Sequence, residues 1–214
     1  MQKLFAMLNV PQILAHDEKQ GFMALSDLGD IQYLKAMLHD ASPTAHKALL
    51  LDAIGEIIVL QKASRPDVLP EYSREILLRE TNLFTEWFVS KELGRTLTPQ
   101  QQKLWQQTLD VLLPEIEAQP KVFVHRDFTV RNIMLTHGRA GILDFQDALY
   151  GPITYDLVSL LRDAFIEWDE EFTLDLAIRY WEQARAAGLP VPASFDTFYR
   201  WYEFMGVQRH LKVA

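Results

Sequence analysis

The stretch that decides the fold lies between residues 122 and 146. Residues 122–132 read Val-Phe-Val-His-Arg-Asp-Phe-Thr-Val-Arg-Asn, and residues 143–146 read Leu-Asp-Phe-Gln. Short apolar runs at 122–124, 133–135 and 141–143 are typical of buried strands. Because the turn sequence Thr-His-Gly-Arg separates the last two runs, they are predicted to form a hairpin.

Polar residues follow these strands, and their types suit phosphoryl transfer. Mg²⁺ prefers carboxylate, amide and water oxygens together with nucleotide phosphates. Transfer also requires a carboxylate beside the acceptor hydroxyl. We therefore predict that Asp127 acts on the acceptor hydroxyl and that Asn132 and Asp144 hold the metal. One loop can present Asp127 and Asn132 to the same cleft, and the hairpin would return Asp144 to that edge.

Each of these residues also has a simpler interpretation. A single Asp or Asn in a turn is usually a local cap, and a histidine beside a strand usually supports its surroundings. The motif His-Arg-Asp-x-x-x-x-Asn followed by Asp-Phe-x, each after an apolar run, favours the phosphotransferase. We expect His125 to support the loop, Arg126 to pair with a carboxylate and Arg131 to face the acceptor.

The rest of the chain is mainly helical in pattern, which predicts an α+β fold. Apolar runs at 12–15 and 22–25 predict a hairpin around a polar turn. Apolar residues spaced by three and four predict the helices. The first three are expected from Pro43 to about Ala63, along the stripe Ile76, Glu80, Phe84 and Trp87, and from a capping box at Thr98 onward. The last three are expected along the stripe Leu157, Leu160, Leu161 and Ala164, from about Asp169 to Gly188, and from about Ser194 onward. In the final helix Phe198, Tyr202 and Met205 are expected to face inward.

Composition excludes several classes of protein. The 214 residues are 49% hydrophobic and carry a formal net charge of −8, which is typical of a globular chain and argues against a nucleic-acid partner. The absence of cysteine excludes thiolate chemistry and cysteine-bound zinc, and it fits a reducing cytosol. No apolar run approaches the length of a membrane-spanning helix, so no membrane partner is expected.

Three segments resemble the aminoglycoside phosphotransferase and choline kinase group of small-molecule kinases. They are residues 124–132, 143–148 and 150–157. The phrases at 144–152 and 205–213 are also similar to bacterial anomeric kinases that phosphorylate N-acetylmuramate and N-acetylglucosamine at C1 in peptidoglycan recycling. The resemblance extends from about Val10 to Ala214.

This resemblance implies a cytoplasmic enzyme that uses ATP and Mg²⁺ on a small-molecule substrate, most simply an amino sugar. It implies a protein-kinase-like large lobe over residues 31–214, with the catalytic loop at 122–146. Residues 27–30 would be the hinge, and residues 1–26 a remnant of the small lobe containing the end of a helix at 2–8 and a hairpin. The implied site residues are the backbone of Ser26, Asp27 and Leu28 for adenine, Arg131 and Asp147 for substrate, and Asp156 as a buried N-cap that ties the loop before it.

The sequence departs from the resembling kinases at both ends. It shows neither their glycine-rich loop nor their strand lysine, and only about two dozen residues precede the hinge, where a small lobe needs roughly forty. It therefore resembles the large lobe and hinge of a longer enzyme. Two alternatives stay open: a kinase-fold chain that binds a ligand or partner without transfer, and a kinase for an aminoglycoside or choline-like acceptor.

Overall fold

The computed structural model describes residues 7–214 except Gly138 and Phe165. It confirms the predicted α+β class, with helices predominating over short strands. A π-helical turn at Phe84–Glu92 continues α3, and a 3-10 turn lies at Phe145–Asp147. The elements are β1 Ile13–Asp17, β2 Phe22–Leu25, α1 Tyr33–His39, α2 Pro43–Lys62, α3 Arg74–Leu83, α4 Pro99–Glu117, β3 Lys121–Val124, β4 Ile133–Leu135, β5 Ala140–Ile142, β6 Leu149–Pro152, α5 Tyr155–Leu161, α6 Glu170–Ala186 and α7 Phe195–Val213.

The strands of the described residues form three antiparallel pairs. β1 pairs with β2 and β4 with β5, so both predicted hairpins are confirmed. The third pair joins β3 to β6, with Val124 opposite Leu149. This pair places the segment after β3 beside the segment before β6, and both belong to the candidate site.

The predicted helical stripes form the core. Ile54 and Ile57 of α2 and Phe198 and Met205 of α7 are fully buried. All seven residues of α5 are buried, which makes it the central helix. Ala164 was predicted to extend the α5 stripe, and this is wrong: the backbone leaves the helix at Arg162 and Ala164 is exposed.

The helix predicted along Ile76, Glu80, Phe84 and Trp87 changes its winding halfway. From Phe84 the chain follows a π-helix, in which Leu93 N–H donates to the Phe88 carbonyl five residues earlier. Because wider turns rotate later side chains off the original face, Trp87 is 63% exposed and does not continue the stripe.

The N-terminal segment divides between the core and solvent. Leu8 and Val10 belong to the same buried cluster as Tyr33, and Ile142 N–H donates to the Asn9 carbonyl at 2.7 Å. Every residue of β1 and β2 is exposed. Most of the helix end predicted at 2–8 lies outside the described residues.

Among the described residues, no helix has the length and apolar content needed to cross a membrane.

Candidate active site

A tight loop between β3 and β4 brings Asp127 and Asn132 together. The Asp127 carbonyl accepts from Thr129 N–H at 2.9 Å and from the Asn132 side-chain Nδ2 at 3.0 Å. Asn132 N–H donates to the Thr129 carbonyl at 2.9 Å. The loop is thus closed on itself by its own side chain and backbone.

Leu143 joins this loop to Asp144. Its N–H donates to the Asn132 carbonyl at 2.9 Å, and its carbonyl lies 2.7 Å from His125 Nε2. Asp144, the next residue, is exposed at the end of the β4–β5 hairpin. The structure therefore places Asp127, Asn132 and Asp144 along one edge.

His125 is fully buried and bonded at both ring nitrogens. Nε2 donates to the Leu143 carbonyl, and Nδ1 accepts from Asp127 N–H at 3.3 Å. Burial lowers the pKa of His125 to about 4, against the Leu143 carbonyl and nearby carboxylates. The imidazole is consequently neutral at pH 7 and holds the start of the loop against the hairpin.

Asp156 is fully buried in the first turn of α5, and its carboxylate holds the backbone at the start of the same loop. Its Oδ2 accepts from His125 N–H at 2.7 Å and its Oδ1 from Arg126 N–H at 3.0 Å. Burial raises the pKa of Asp156 to about 7, opposed by these two bonds and by Arg209. The predicted N-cap role is wrong, because Thr154 occupies that position, and the segment that Asp156 ties lies 30 and 31 residues earlier.

Two residues at this edge adopt the left-handed backbone conformation. Arg126 has φ of 77° and Asp144 has φ of 58°. For residues other than glycine this conformation is uncommon and costs free energy, and it concentrates at functional sites. Arg126 directly precedes Asp127, and Asp144 is itself one of the two predicted metal residues.

The three residues expected to bind adenine differ in which of their polar groups already form hydrogen bonds within the chain. Ser26 N–H donates to the Gln12 carbonyl at 2.8 Å, so this donor is already used. The Asp27 carboxylate accepts from Gly29 N–H at 2.8 Å. The Leu28 side chain packs against Gly141 of β5, which links this segment to the hairpin carrying Asp144.

Arg131 and Asp147, the expected substrate residues, are both exposed near this edge. Arg131 lies in the loop and Asp147 ends the 3-10 turn that follows Asp144. The Asp147 carbonyl accepts from the Arg126 guanidinium at 3.3 Å. Their assignment to the substrate stays a prediction.

The structure adds three residues that sequence reasoning missed. Glu80 of α3 forms an ion pair with Arg126, which confirms the expectation that Arg126 pairs with a carboxylate. Lys212 Nζ lies 3.4 Å from Glu80 Oε1, and Arg209 donates to the Arg126 carbonyl at 3.3 Å. The one signal in the sequence was an acidic residue, Glu80, within an apolar helical stripe.

The donor set fits a magnesium ion shared with phosphates. Among the described residues, no group of three or more His, Cys, Asp or Glu could hold a metal by itself. Mg²⁺ typically takes one or two protein oxygens and completes its shell with waters and phosphates. Because Asn132 Nδ2 is bonded to the backbone, its Oδ1 and the Asp144 carboxylate are the oxygens that could serve.

The chain is similar in sequence to known proteins along most of its length. The model of the phosphotransferase enzyme family matches residues 2–191. The chain belongs to this family. It is 72% identical over its whole length to the N-acetylmuramate/N-acetylglucosamine kinase of Neisseria meningitidis serogroup B and covers 64% of that protein. It is 44% identical over 97% of its length to the same-named kinase of Pseudomonas putida and covers 60% of it. The chain thus spans less than two thirds of these curated relatives, and the resemblance seen in the sequence is confirmed.

Solved structures of other kinases show the same fold. An aminoglycoside phosphotransferase from Streptomyces rimosus, in complex with ADP and streptomycin, matches 99% of this chain and 79% of its own, with a TM-score of 0.62 at 15% identity. A choline kinase from Cryptosporidium parvum matches 99% of this chain and 68% of its own, with a TM-score of 0.60 at 12% identity. The predicted protein-kinase-like fold is confirmed.

Proposed function

We propose that the chain is part of an ATP- and Mg²⁺-dependent phosphotransferase that acts on the anomeric hydroxyl of N-acetylmuramate or N-acetylglucosamine in peptidoglycan recycling. The observation that carries the phosphotransferase is the edge where Leu143 joins the loop of Asp127 and Asn132 to Asp144. The acceptor follows from the relatives, whose names specify these two sugars. A cytoplasmic location belongs to the same proposal.

In this mechanism Asp127 orients the acceptor hydroxyl and takes up its proton as the phosphoryl group arrives. Asn132 Oδ1 and the Asp144 carboxylate would hold Mg²⁺, and the ion would supply positive charge that offsets the charge of the phosphate oxygens. ATP, when bound, would supply the phosphoryl group. The neutral His125 keeps the loop in register with the hairpin.

Adenine recognition falls to the segment after β2. Ser26 N–H is already bonded, so the backbone groups of Asp27 and Leu28 are the better candidates for the base. Leu28 packs on Gly141, and through β5 this contact couples the adenine segment to the metal residues. Arg131 and Asp147 border the edge from which an acceptor would approach.

The test is ADP release by the full chain with N-acetylmuramate, N-acetylglucosamine, choline and kanamycin as acceptors. We expect turnover with the amino sugars and a fall in kcat of about 10²-fold or more in Asp127→Asn, because a positioned acid–base group contributes about 10²–10⁴-fold. Asp110→Asn, an exposed change on α4, is the matched control and should retain turnover.

Three outcomes would contradict the proposal in different ways. Undiminished turnover in Asp127→Asn would remove Asp127 from the mechanism. Turnover confined to choline or kanamycin would overturn the sugar assignment. Ligand binding without turnover of any acceptor would favour the kinase-fold chain that binds without transfer.

A further inference from the structure

Arg126, the residue before Asp127, is held at each of its backbone polar groups. Its N–H donates to Asp156 Oδ1 at 3.0 Å, and its carbonyl accepts from Arg209 at 3.3 Å. Its guanidinium bonds the Asp147 carbonyl and the Glu80 carboxylate. Its backbone is nevertheless left-handed, with φ of 77°. A strained residue keeps such a conformation only where its surroundings over-determine it.

Glu80 is the buried centre of these restraints. It is 4% exposed and accepts from the Tyr72 hydroxyl as well as from Arg126. Lys212 of α7 lies 3.4 Å from Glu80 and also donates to the Tyr155 hydroxyl at 3.2 Å. The carboxylate thus joins α3 and α7 to the residue that precedes Asp127, and Lys212 extends the connection to Tyr155 of α5.

The protonation of Glu80 follows from these contacts. Burial alone would raise its pKa, but Lys212, the Tyr72 hydroxyl and Arg126 hold the pKa below its usual value. The carboxylate is therefore ionised at neutral pH and pairs with two cations.

Stability alone does not account for this cluster. Taking charges out of water costs free energy that their attraction often only balances, and apolar replacements of buried ion pairs can be equally stable. The cluster does fix the position of the Arg126 side chain, and the backbone of Arg126 continues directly into Asp127. An error of about 1 Å in a reacting group can cost about 10²-fold in rate.

We propose that Glu80 is a positioning residue for phosphoryl transfer, which acts through Arg126 to aim the Asp127 carboxylate at the acceptor. This inference rests on the proposed function, in which Asp127 meets the acceptor hydroxyl. Glu80 itself acts at a distance and contacts neither substrate nor metal in this role.

The experiment compares Glu80→Gln with Glu56→Gln in the full chain. Glu56 is a matched control because it is 5% exposed, lies on a helix and pairs with an arginine, Arg139, at the turn of the β4–β5 hairpin. For Glu80→Gln we expect kcat to fall about tenfold or more while KM for sugar and ATP changes less than about threefold. Backbone amides of residues 125–127 should exchange hydrogen faster in Glu80→Gln and not in Glu56→Gln.

A double variant shows whether Glu80 acts through Arg126. If it does, Glu80→Gln combined with Arg126→Gln should have the kcat of Arg126→Gln alone, because both changes remove one interaction. Should Glu80→Gln fail to fold, Arg126→Gln carries the same prediction, since Tyr72 and Lys212 still satisfy Glu80.

The inference would be overturned by an unchanged kcat in Glu80→Gln and Arg126→Gln, or by additive losses of kcat in the double variant. Equal amide exchange in Glu80→Gln and Glu56→Gln would overturn it too. A raised KM for sugar or ATP with an unchanged kcat would overturn it as well. Absence of turnover in the unmodified chain is a different result, because it contradicts the proposed function itself.

Discussion

The backbone of Leu143 connects the loop of Asp127 and Asn132 to the end of the β4–β5 hairpin, where Asp144 lies. Its carbonyl accepts from His125 Nε2 and its N–H donates to the Asn132 carbonyl, so two hydrogen bonds tie the hairpin end to the loop. The first of these bonds requires His125 to donate from Nε2, and the bond from Asp127 N–H requires its Nδ1 to be unprotonated. The geometry of the site therefore depends on a neutral imidazole.

This dependence predicts how stability responds to acid. Because the pKa of His125 is about 4 in the folded chain and about 6.5 when unfolded, the unfolded state binds more protons between these values. The stability from neutral His125 is present above pH 6.5 and lost as the pH falls toward 4, about 3 kcal/mol in all. Urea unfolding of the chain and of His125→Gln, at pH 7, 5.5 and 4.5, measures this difference.

The variant should be less stable at pH 7 and should lose less stability on acidification. Asp156 acts with the opposite sign, since its pKa is raised to about 7, but it is present in both proteins and cancels in the comparison. Parallel pH profiles for the two proteins would show that His125 does not titrate as described.

The site residues differ in how far the sequence could reveal them. Asp127, Asn132 and Asp144 lie within one short segment, so strand patterns and a turn were enough to predict that they meet. Glu80 and Arg209 reach Arg126 from 46 and 83 residues away. Apart from the position of the acidic Glu80 within an apolar helical stripe, nothing local marks these partners, because tertiary packing of α3 and α7 creates the contacts.

At the level of elements, local chemistry specifies α4 most fully. Thr98 Oγ1 accepts from Gln101 N–H at 3.3 Å, and Gln101 Oε1 accepts from Thr98 N–H at 2.9 Å. This reciprocal capping box, followed by Pro99, satisfies backbone groups that the helix leaves unpaired. The predicted start of α4 is confirmed for this reason.

Removing the cap should destabilise the chain in a measurable way. We expect Thr98→Ala to lower the free energy of unfolding by about 1 kcal/mol. Thr108→Ala on the same helix is the control, because its hydroxyl bonds only the Leu104 carbonyl within the helix and alanine is the better helix former. Equal effects in the two variants, measured by urea unfolding, would show that the cap contributes nothing specific.

Two elements were not predicted, and each depends on tertiary contacts. Helix α1 has only seven residues, with Tyr33 and Met37 buried, which is too short for a periodic pattern to be read. Strand β6 contains Gly151 and Pro152, residues that disfavour strands. It forms because β3 supplies its partner strand. Glycine suits position 151 because a Cβ there would lie 2.9 Å from the Tyr72 side chain.

For the whole molecule, one core unites the helical part with the segment before the first hairpin. Leu8 and Val10 join the core, while β1 and β2 stay outside it. Residues 27 and 28 connect these regions, and Leu28 touches the hairpin of Asp144. The domain boundaries at 26, 30 and 31 stay a prediction, since the core continues across them.

Isothermal titration calorimetry of ADP with and without Mg²⁺ tests the central claim most directly, namely that this edge holds a metal–nucleotide complex. We expect ADP to bind the chain in a Mg²⁺-dependent manner, with Asp144→Ala weakening that binding at least about tenfold because a carboxylate ligand is lost. Asp110→Ala, an exposed change on α4, should bind as the unmodified chain does. Binding that is indifferent to Mg²⁺, or equal in Asp144→Ala and the unmodified chain, would contradict the account.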